Sequence, residues 1–302
     1  MFELRWDPGA PAAEQPHRVG LRGLRVRSGR RARWAAAPGS AVSGGRGIRW
    51  PRREQNDRLW WPQGIDVQNG TAVVSWHRTV DGADTAARLT FVALGRRPRF
   101  WHVLLVEADL RPIAIHAGGI AWDSDRLYVA DTFGGLRHFD VRDILRVPRA
   151  GLLARLLRRH DHLLPQTGGY PSQPVEGERA MRYSFVSLEH GGAAPHLVAG
   201  EYRNGTADAR LLRVELGGSG PELHGGLDRM QGACVVDSIW YVTTSNGPRR
   251  NGDLWMGQPA ALVQRAGVLP PGPEDLAHEP GARRLWSLSE HPGARWIYSI
   301  EI

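Results

Sequence analysis

The chain contains no lysine: its 39 basic Lys/Arg positions are all arginine. That absence removes a Schiff-base lysine, a P-loop lysine and a lysine general base together. Cysteine is almost as scarce. The single Cys234 lies in the apolar run Ala233-Cys234-Val235-Val236. An intramolecular disulfide is therefore excluded, and a reactive thiolate, which needs polar surroundings, is not expected. No stretch reaches the roughly 18 consecutive apolar residues of a membrane helix, so no membrane span is expected. The opening Met1-Phe2-Glu3-Leu4-Arg5-Trp6-Asp7 has no apolar signal-peptide core, which leads to the expectation of a cytoplasmic protein. His-Glu-x-x-His, Cys-x-x-Cys, Gly-x-Ser-x-Gly and a Gly-rich nucleotide loop are also missing, and Gly217-Gly218-Ser219-Gly220 reads as a plain loop.

What is present is ordinary globular material. The 302 residues are 41% hydrophobic and 23% charged, enough for a sizeable core and too apolar for wholesale disorder. Glycine (37) and proline (21) promise many turns. The positive charge is local: residues 1–60 hold 13 Arg against 5 acids, and residues 61–302 hold 26 of each. A basic arm such as Arg18–Arg33 could hold phosphates. No nucleic-acid module surrounds it, so the plainer reading is a strand and loop of the folded body. Nucleic acid is not an expected partner.

A repeat organises the remainder. Gln63–Val67, an Asn69-Gly70 turn and Ala72–His77 make the first two-strand unit. His116–Trp122 with Leu127–Thr132, Tyr183–Leu188 with His196–Tyr202, Gln231–Val236 with Trp240–Ser245, and Glu274–His278 with Leu285–His291 repeat it. Aligned starts at Gln63, Gly118, Ser184, Gln231 and Glu274 are 55, 66, 47 and 43 residues apart. Short alternating strands with turns between them, recurring at such a period, predict propeller blades. The expected fold is all-β: residues 1–302 as one β-propeller of five blades, or six if residues 1–55 build a whole blade. The last repeat has one clear further strand, Arg295–Ile302, so residues 1–55 are expected to supply a closing strand, from His17–Val26 or Phe2–Trp6. Residues 141–182 break the pattern. Leucines at helical spacing predict a helix over 141–164, followed by a flexible loop, Leu164–Pro171, serving as lid or bracket.

Leu127-Tyr128-Val129-Ala130-Asp131-Thr132, followed by Gly134-Gly135-Leu136-Arg137-His138-Phe139-Asp140, resembles the blade signature of NHL-repeat and strictosidine-synthase/SMP-30-like (gluconolactonase) propellers. Pro62-Gln63-Gly64-Ile65, His116-Ala117-Gly118-Gly119-Ile120, Gly200-Glu201-Tyr202, Met230-Gln231-Gly232 and Gly272-Pro273-Glu274-Asp275-Leu276 make residues 60–302 similar to actinobacterial propeller proteins known only as "secreted protein". The first resemblance implies a fold and leaves the chemistry open, since propellers host binders, hydrolases, lyases and cyclases.

In a propeller the entry of each inner strand and the exit of the next open on one face. That geometry predicts a mouth set of Gln63, His116, Tyr183, Gln231, Glu274 and Asp275, joined by His77, Asp131, Glu201, Ser245, Glu290 and His291. Glu201, Glu274, Asp275, His116, His77 and Asp131 are the expected catalytic groups. Each also has a plainer reading: a strand-ending cap for Asp131, a satisfied structural histidine for His77 and His116, a solvated turn for Glu290 and His291. Gln63, Gln231, Trp61, Trp76, Tyr183, Tyr202, Glu290 and His291 are expected to bind a small-molecule substrate, with Trp60, Trp61 and Trp76 as apolar walls. Carboxylates and histidines without lysine point to acid–base chemistry: cyclisation, elimination, isomerisation or hydrolysis. Specialised metabolism is the expected setting, and a non-catalytic binding propeller is the alternative. No cofactor is expected. A gluconolactonase-like calcium ion is the second option, on Glu201, Glu274, Asp275 and Asp131, although the asparagine ligands of that family have no equivalents here.

Overall fold

The computed structural model describes residues 6–8, 17–26, 29–147, 160–172, 179–191, 195–205, 208–216 and 220–302. Ahead of the repeats come α1 (Gly20–Arg25), β1 (Arg30–Arg31), β2 (Arg33–Ala36), β3 (Val42–Arg49) and α2 (Arg52–Gln55). The first repeat is a meander of β4 (Trp60–Gln68), β5 (Thr71–Val80), β6 (Ala83–Ala93) and β7 (Arg99–Val106). The second has β8 (Ile120–Asp123), β9 (Arg126–Asp131), β10 (Gly135–Asp140), the short β11 (Leu145–Arg146) and β12 (His162–Pro171). The third has β13 (Phe185–Glu189), β14 (His196–Gly200), β15 (Arg210–Glu215) and β16 (Glu222–Gly225). The fourth has β17 (Met230–Val236), β18 (Ile239–Thr244), β19 (Asn251–Gly257) and β20 (Val263–Pro271). The fifth has β21 (Pro273–His278), β22 (Arg284–Ser289) and β23 (Trp296–Glu301).

Turn chemistry sets these hairpins. Asn69 and Gly70 take φ of 49° and 68°, and Asp237 and Ser238 take 50° and 63°. Both are the doubly left-handed pairs that match the twist of a tight hairpin. The first strands then pack in a cycle: β4 on β8, β8 on β13, β13 on β17, β17 on β21, and β21 back on β4. That cycle is a propeller ring of five units.

The ring closes through β3, which pairs antiparallel with β23 (Ile48 opposite Ile297), and β2 adds outside it. Of the two expected donors, His17–Val26 does not do this: it carries α1, whose Leu24 is buried in the core, while Phe2–Arg5 lie outside the described residues. The reason is local: Ser43-Gly44-Gly45-Arg46-Gly47 interrupts the apolar alternation of β3, leaving Val42 and Ile48 as its buried anchors. Arg295 reinforces the seam. It is fully buried and donates to the carbonyls of Glu290 (2.5 Å), Glu54 (2.5 Å) and Trp60 (2.9 Å).

No helical insertion is found among the described residues at 141–182. Val141–Asp143 is one 3-10 turn, and the stretch read as a loop, Leu164–Pro171, belongs to β12. Residues 148–159 of the expected helix lie outside the described set. Of the leucines whose spacing predicts the helix, Leu145 faces the core from a strand, and Leu152, Leu153, Leu156 and Leu157 lie outside the described residues. β12 pairs with β10 and also runs parallel to β7 (Leu163 opposite Leu104), joining the first two units into one sheet.

Two carboxyls pin the axis. Asp66 accepts from the Val67 amide (2.6 Å) and the Trp122 amide (2.6 Å), and Asp275 Oδ2 accepts from the Ile65 (3.2 Å) and Ile120 (3.1 Å) amides. Both are buried, and burial pushes Asp66 up to about 7 and Asp275 well above the usual carboxylate range. Cys234 is fully buried and burial likewise raises its thiol, consistent with an inert core residue. Three arginines of the basic arm are engaged within the fold. Arg18 pairs with Asp143 at 3.0 Å, Arg30 with Glu54, and Arg25 bonds Thr71. No helix among the described residues is long and apolar enough to cross a membrane.

Candidate active site

Strand alternation decides which polar residues reach the mouth. A cavity of about 750 Å³ opens there, lined by Trp61, Gln63, His77, His116, Asp131, Tyr202, Gln231, Glu274 and Glu290 of the expected set. Thr79, Asp84, Arg182, Ser184 and Phe133 line it too. Other expected residues point elsewhere. Trp76 is fully buried against Trp50, and Tyr183 packs in the core beside Met181. Asp275 faces the axis beneath the mouth, and His291 sits edge-on to Trp61 outside the cavity lining. Trp60 packs in the core with Arg88 stacked on it, which leaves Trp61 as the wall from that cluster.

The centre of the site is a carboxyl pair. Glu274, at the entry of β21, shares the cavity wall with Glu290, which follows β22, and the charge of Glu290 is felt at Glu274. Gln231 Nε2 donates to Glu274 Oε1 at 3.1 Å, and Gln63 Nε2 donates to Glu290 Oε2 at 3.1 Å. Burial, then the charges of Glu290 and Asp275, push Glu274 well above the ordinary carboxylate range. The array Gln231–Glu274–Glu290–Gln63 spans three inner-strand entries with two carboxyl groups and two amides that bond them.

A second cluster shares the cavity. His77 Nδ1 lies 2.6 Å from Asp84 Oδ1, His116 Nδ1 lies 3.5 Å from Asp84 Oδ2, and the two rings are 4.1 Å apart. Thr79 donates to Asp84 Oδ1 at 3.2 Å. Burial lowers His77 despite its bond to Asp84. Burial would raise Asp84, but the hydrogen bonds from His116 and His77 outweigh it and hold the carboxyl low. Asp84 was not among the expected residues. The signal was the Asp81-Gly82 turn, because a tight hairpin there sets Asp84 opposite Thr79, two positions from His77.

Glu201 has a different job. It is fully buried, its two oxygens accept from Arg179 (3.0 Å each) and Arg210 (2.8 and 3.0 Å), and Oε1 also takes the Arg182 amide at 3.0 Å. Burial alone would raise it, but Arg210 and Arg179 outweigh that and keep it low. A carboxylate held this way is no proton acceptor. Glu201→Gln is expected to lower unfolding free energy by about 2 kcal/mol, read by urea denaturation, because one charge of a buried cluster is lost while both arginines keep some water. An unchanged midpoint would remove this structural role.

Asp131 bonds Arg137 at 3.0 Å and reaches the Gly134 amide, which gives it the turn-capping arrangement as well as a place on the wall. The four acids of the expected calcium set do not converge. Glu201 is locked by arginine, Asp275 by backbone amides and Asp131 by Arg137. An oxygen cage for calcium does not fit these residues. A larger groove of about 1070 Å³ lies apart, lined by Arg31, Arg33, Arg46, Arg96, Arg97, Arg99 and Arg284 and sharing no residue with the mouth.

No family model matches the chain, and no curated protein matches it. Solved structures with distant likeness include enzymes and computationally designed proteins. The gluconolactonase XC5397 of Xanthomonas campestris shares 15% identity over 100% of this chain and 90% of its own, with a TM-score of 0.46. A GH43_1 enzyme from Xanthomonas citri, solved with xylotriose, shares 10% over 81% and 88%, with a TM-score of 0.47. RS223-Beta-xylosidase shares 9% over 83% and 93%, with a TM-score of 0.46. The cycle of inner-strand contacts and the cavity lining define the class here, a β-propeller with a polar mouth.

Proposed function

We propose that this chain is a small-molecule enzyme whose chemistry is proton transfer at the propeller mouth. Glu274 is the proton donor, Glu290 the carboxylate that accepts, and Gln63 and Gln231 hold the pair in register. One observation carries the reading: two glutamates, coupled through their charges and bracketed by amides from two further blades, face a cavity of substrate size. Trp61 and Tyr202 offer faces for a ring, and Arg182 a place for an anionic group. Hydrolysis, elimination, isomerisation and cyclisation each ask for such a donor and acceptor.

The first test needs no substrate. Carbon-13 titration of the glutamate carboxyls is expected to find one group above the ordinary range, moving down when Glu290→Gln removes the neighbouring charge. A panel of lactones, aryl esters and aryl glycosides then reads function. Turnover is expected to fall at least about 100-fold in Glu274→Gln and Glu290→Gln and to persist in Glu201→Gln. Ordinary titration of every glutamate would overturn the reading.

A further inference from the structure

The same cavity contains a second arrangement that proton transfer between the glutamates does not use. Among the described residues, His77, Asp84 and His116 are the one group of three whose ligating atoms all lie within 4.8 Å of one another. Donors on one ion with bonds of about 2 Å sit roughly 3–3.5 Å apart, so small side-chain movements suffice. The scaffold suits this. His77 and Asp84 come from the two strands of one hairpin, β5 and β6, and His116 from the segment entering β8. The Thr79 hydroxyl lies beside both, 3.2 Å from Asp84 Oδ1 and 3.1 Å from His77 Nδ1, and helps to orient the two ligands. Two imidazoles and one carboxylate are the donors of zinc, manganese, iron or cobalt, while calcium and magnesium favour oxygen throughout.

We infer that His77 Nδ1, His116 Nδ1 and the Asp84 carboxylate form a binding site for one divalent transition-metal ion, with its remaining positions open to the mouth cavity. A bound ion there supplies a Lewis acid in the cavity that also holds the carboxyl pair. The site stands whether or not Glu274 and Glu290 are catalytic.

The test is direct metal binding by the full chain. Chelator-treated protein is titrated with zinc by calorimetry and with cobalt by visible absorption, and metal content is measured after dialysis. One ion per chain is expected. His116→Ala and Asp84→Asn should each weaken binding at least about tenfold, while His224→Ala, in β16, leaves it unchanged. The His116 side chain is 43% exposed, so its loss leaves the core intact, and thermal unfolding confirms the fold. Zinc should also raise the melting temperature of the wild type and not of His116→Ala. Failure of the wild type to retain an ion, full affinity in His116→Ala, or equal uptake of calcium would each overturn the inference.

Discussion

Alanine at Gly119 is expected to lower unfolding free energy by at least about 3 kcal/mol, beyond the usual cost of overpacking because backbone has to move. A Cβ there would lie 2.2 Å from the Val186 nitrogen and 2.6 Å from the Phe185 Cα, both in the inner strand of the next blade. That strand cannot retreat, since Phe185 and Val186 are themselves fully buried. Gly232 meets the fifth blade in the same way, with Leu276 N at 2.5 Å. Close backbone approach at the axis is therefore what these glycines supply, and one methyl would wedge two blades apart. Gly225→Ala is the control: nothing lies within 4 Å of its added Cβ, and the change should stay within about 0.5 kcal/mol. Urea midpoints of the two variants decide the matter. Equal midpoints would mean the ring tolerates looser packing than its geometry shows.

Asp66 should make stability fall as pH rises. In the unfolded chain its carboxyl ionises near 3.8, and in the fold burial holds it protonated up to about 7. Between those values the folded state binds more protons than the unfolded one. The contribution is thus fully present below pH 4 and lost as pH rises through 7. A shift of that size corresponds to about 4 kcal/mol. Buried histidines oppose the trend: burial lowers His102 to about 3 and His138 to about 4, so their contribution is lost as pH falls below 6.5. The difference between wild type and Asp66→Asn isolates the aspartate. Wild type should lose about 4 kcal/mol against the variant between pH 4 and 7, then run level. A difference independent of pH would place the ionised carboxylate in the fold.

Strand period explains both what the sequence disclosed and what it hid. All five repeats coincide with paired strands, because alternation and turn residues are local signals. Within each strand, however, neighbouring residues face opposite ways, and the sequence does not mark which face is the mouth. Thus Glu274 reaches the cavity while Asp275 faces the axis, His77 lines it while Trp76 is buried, and Tyr202 lines it while Glu201 meets arginines. The partners that fix Glu201 come from Arg179 and Arg210, and no spacing rule joins those positions. The closing strand was obscured for a related reason: its glycines dilute the apolar pattern that identifies the other strands.

That closure also sets a schedule for biosynthesis. Residues 42–49 emerge from the ribosome early, yet the partner on one side of them is residues 296–301. Until those later residues appear, β3 has only β2 beside it, and the fifth blade lacks its fourth strand. The earlier blades can form in order on the growing chain, but the circle cannot be completed during elongation through them. Joining segments so distant along the chain costs loop-closure entropy and slows assembly. The nascent protein therefore passes through an open-ringed stage with an unpaired sheet edge, the interval in which chaperone capture or mispairing with another copy would compete with folding.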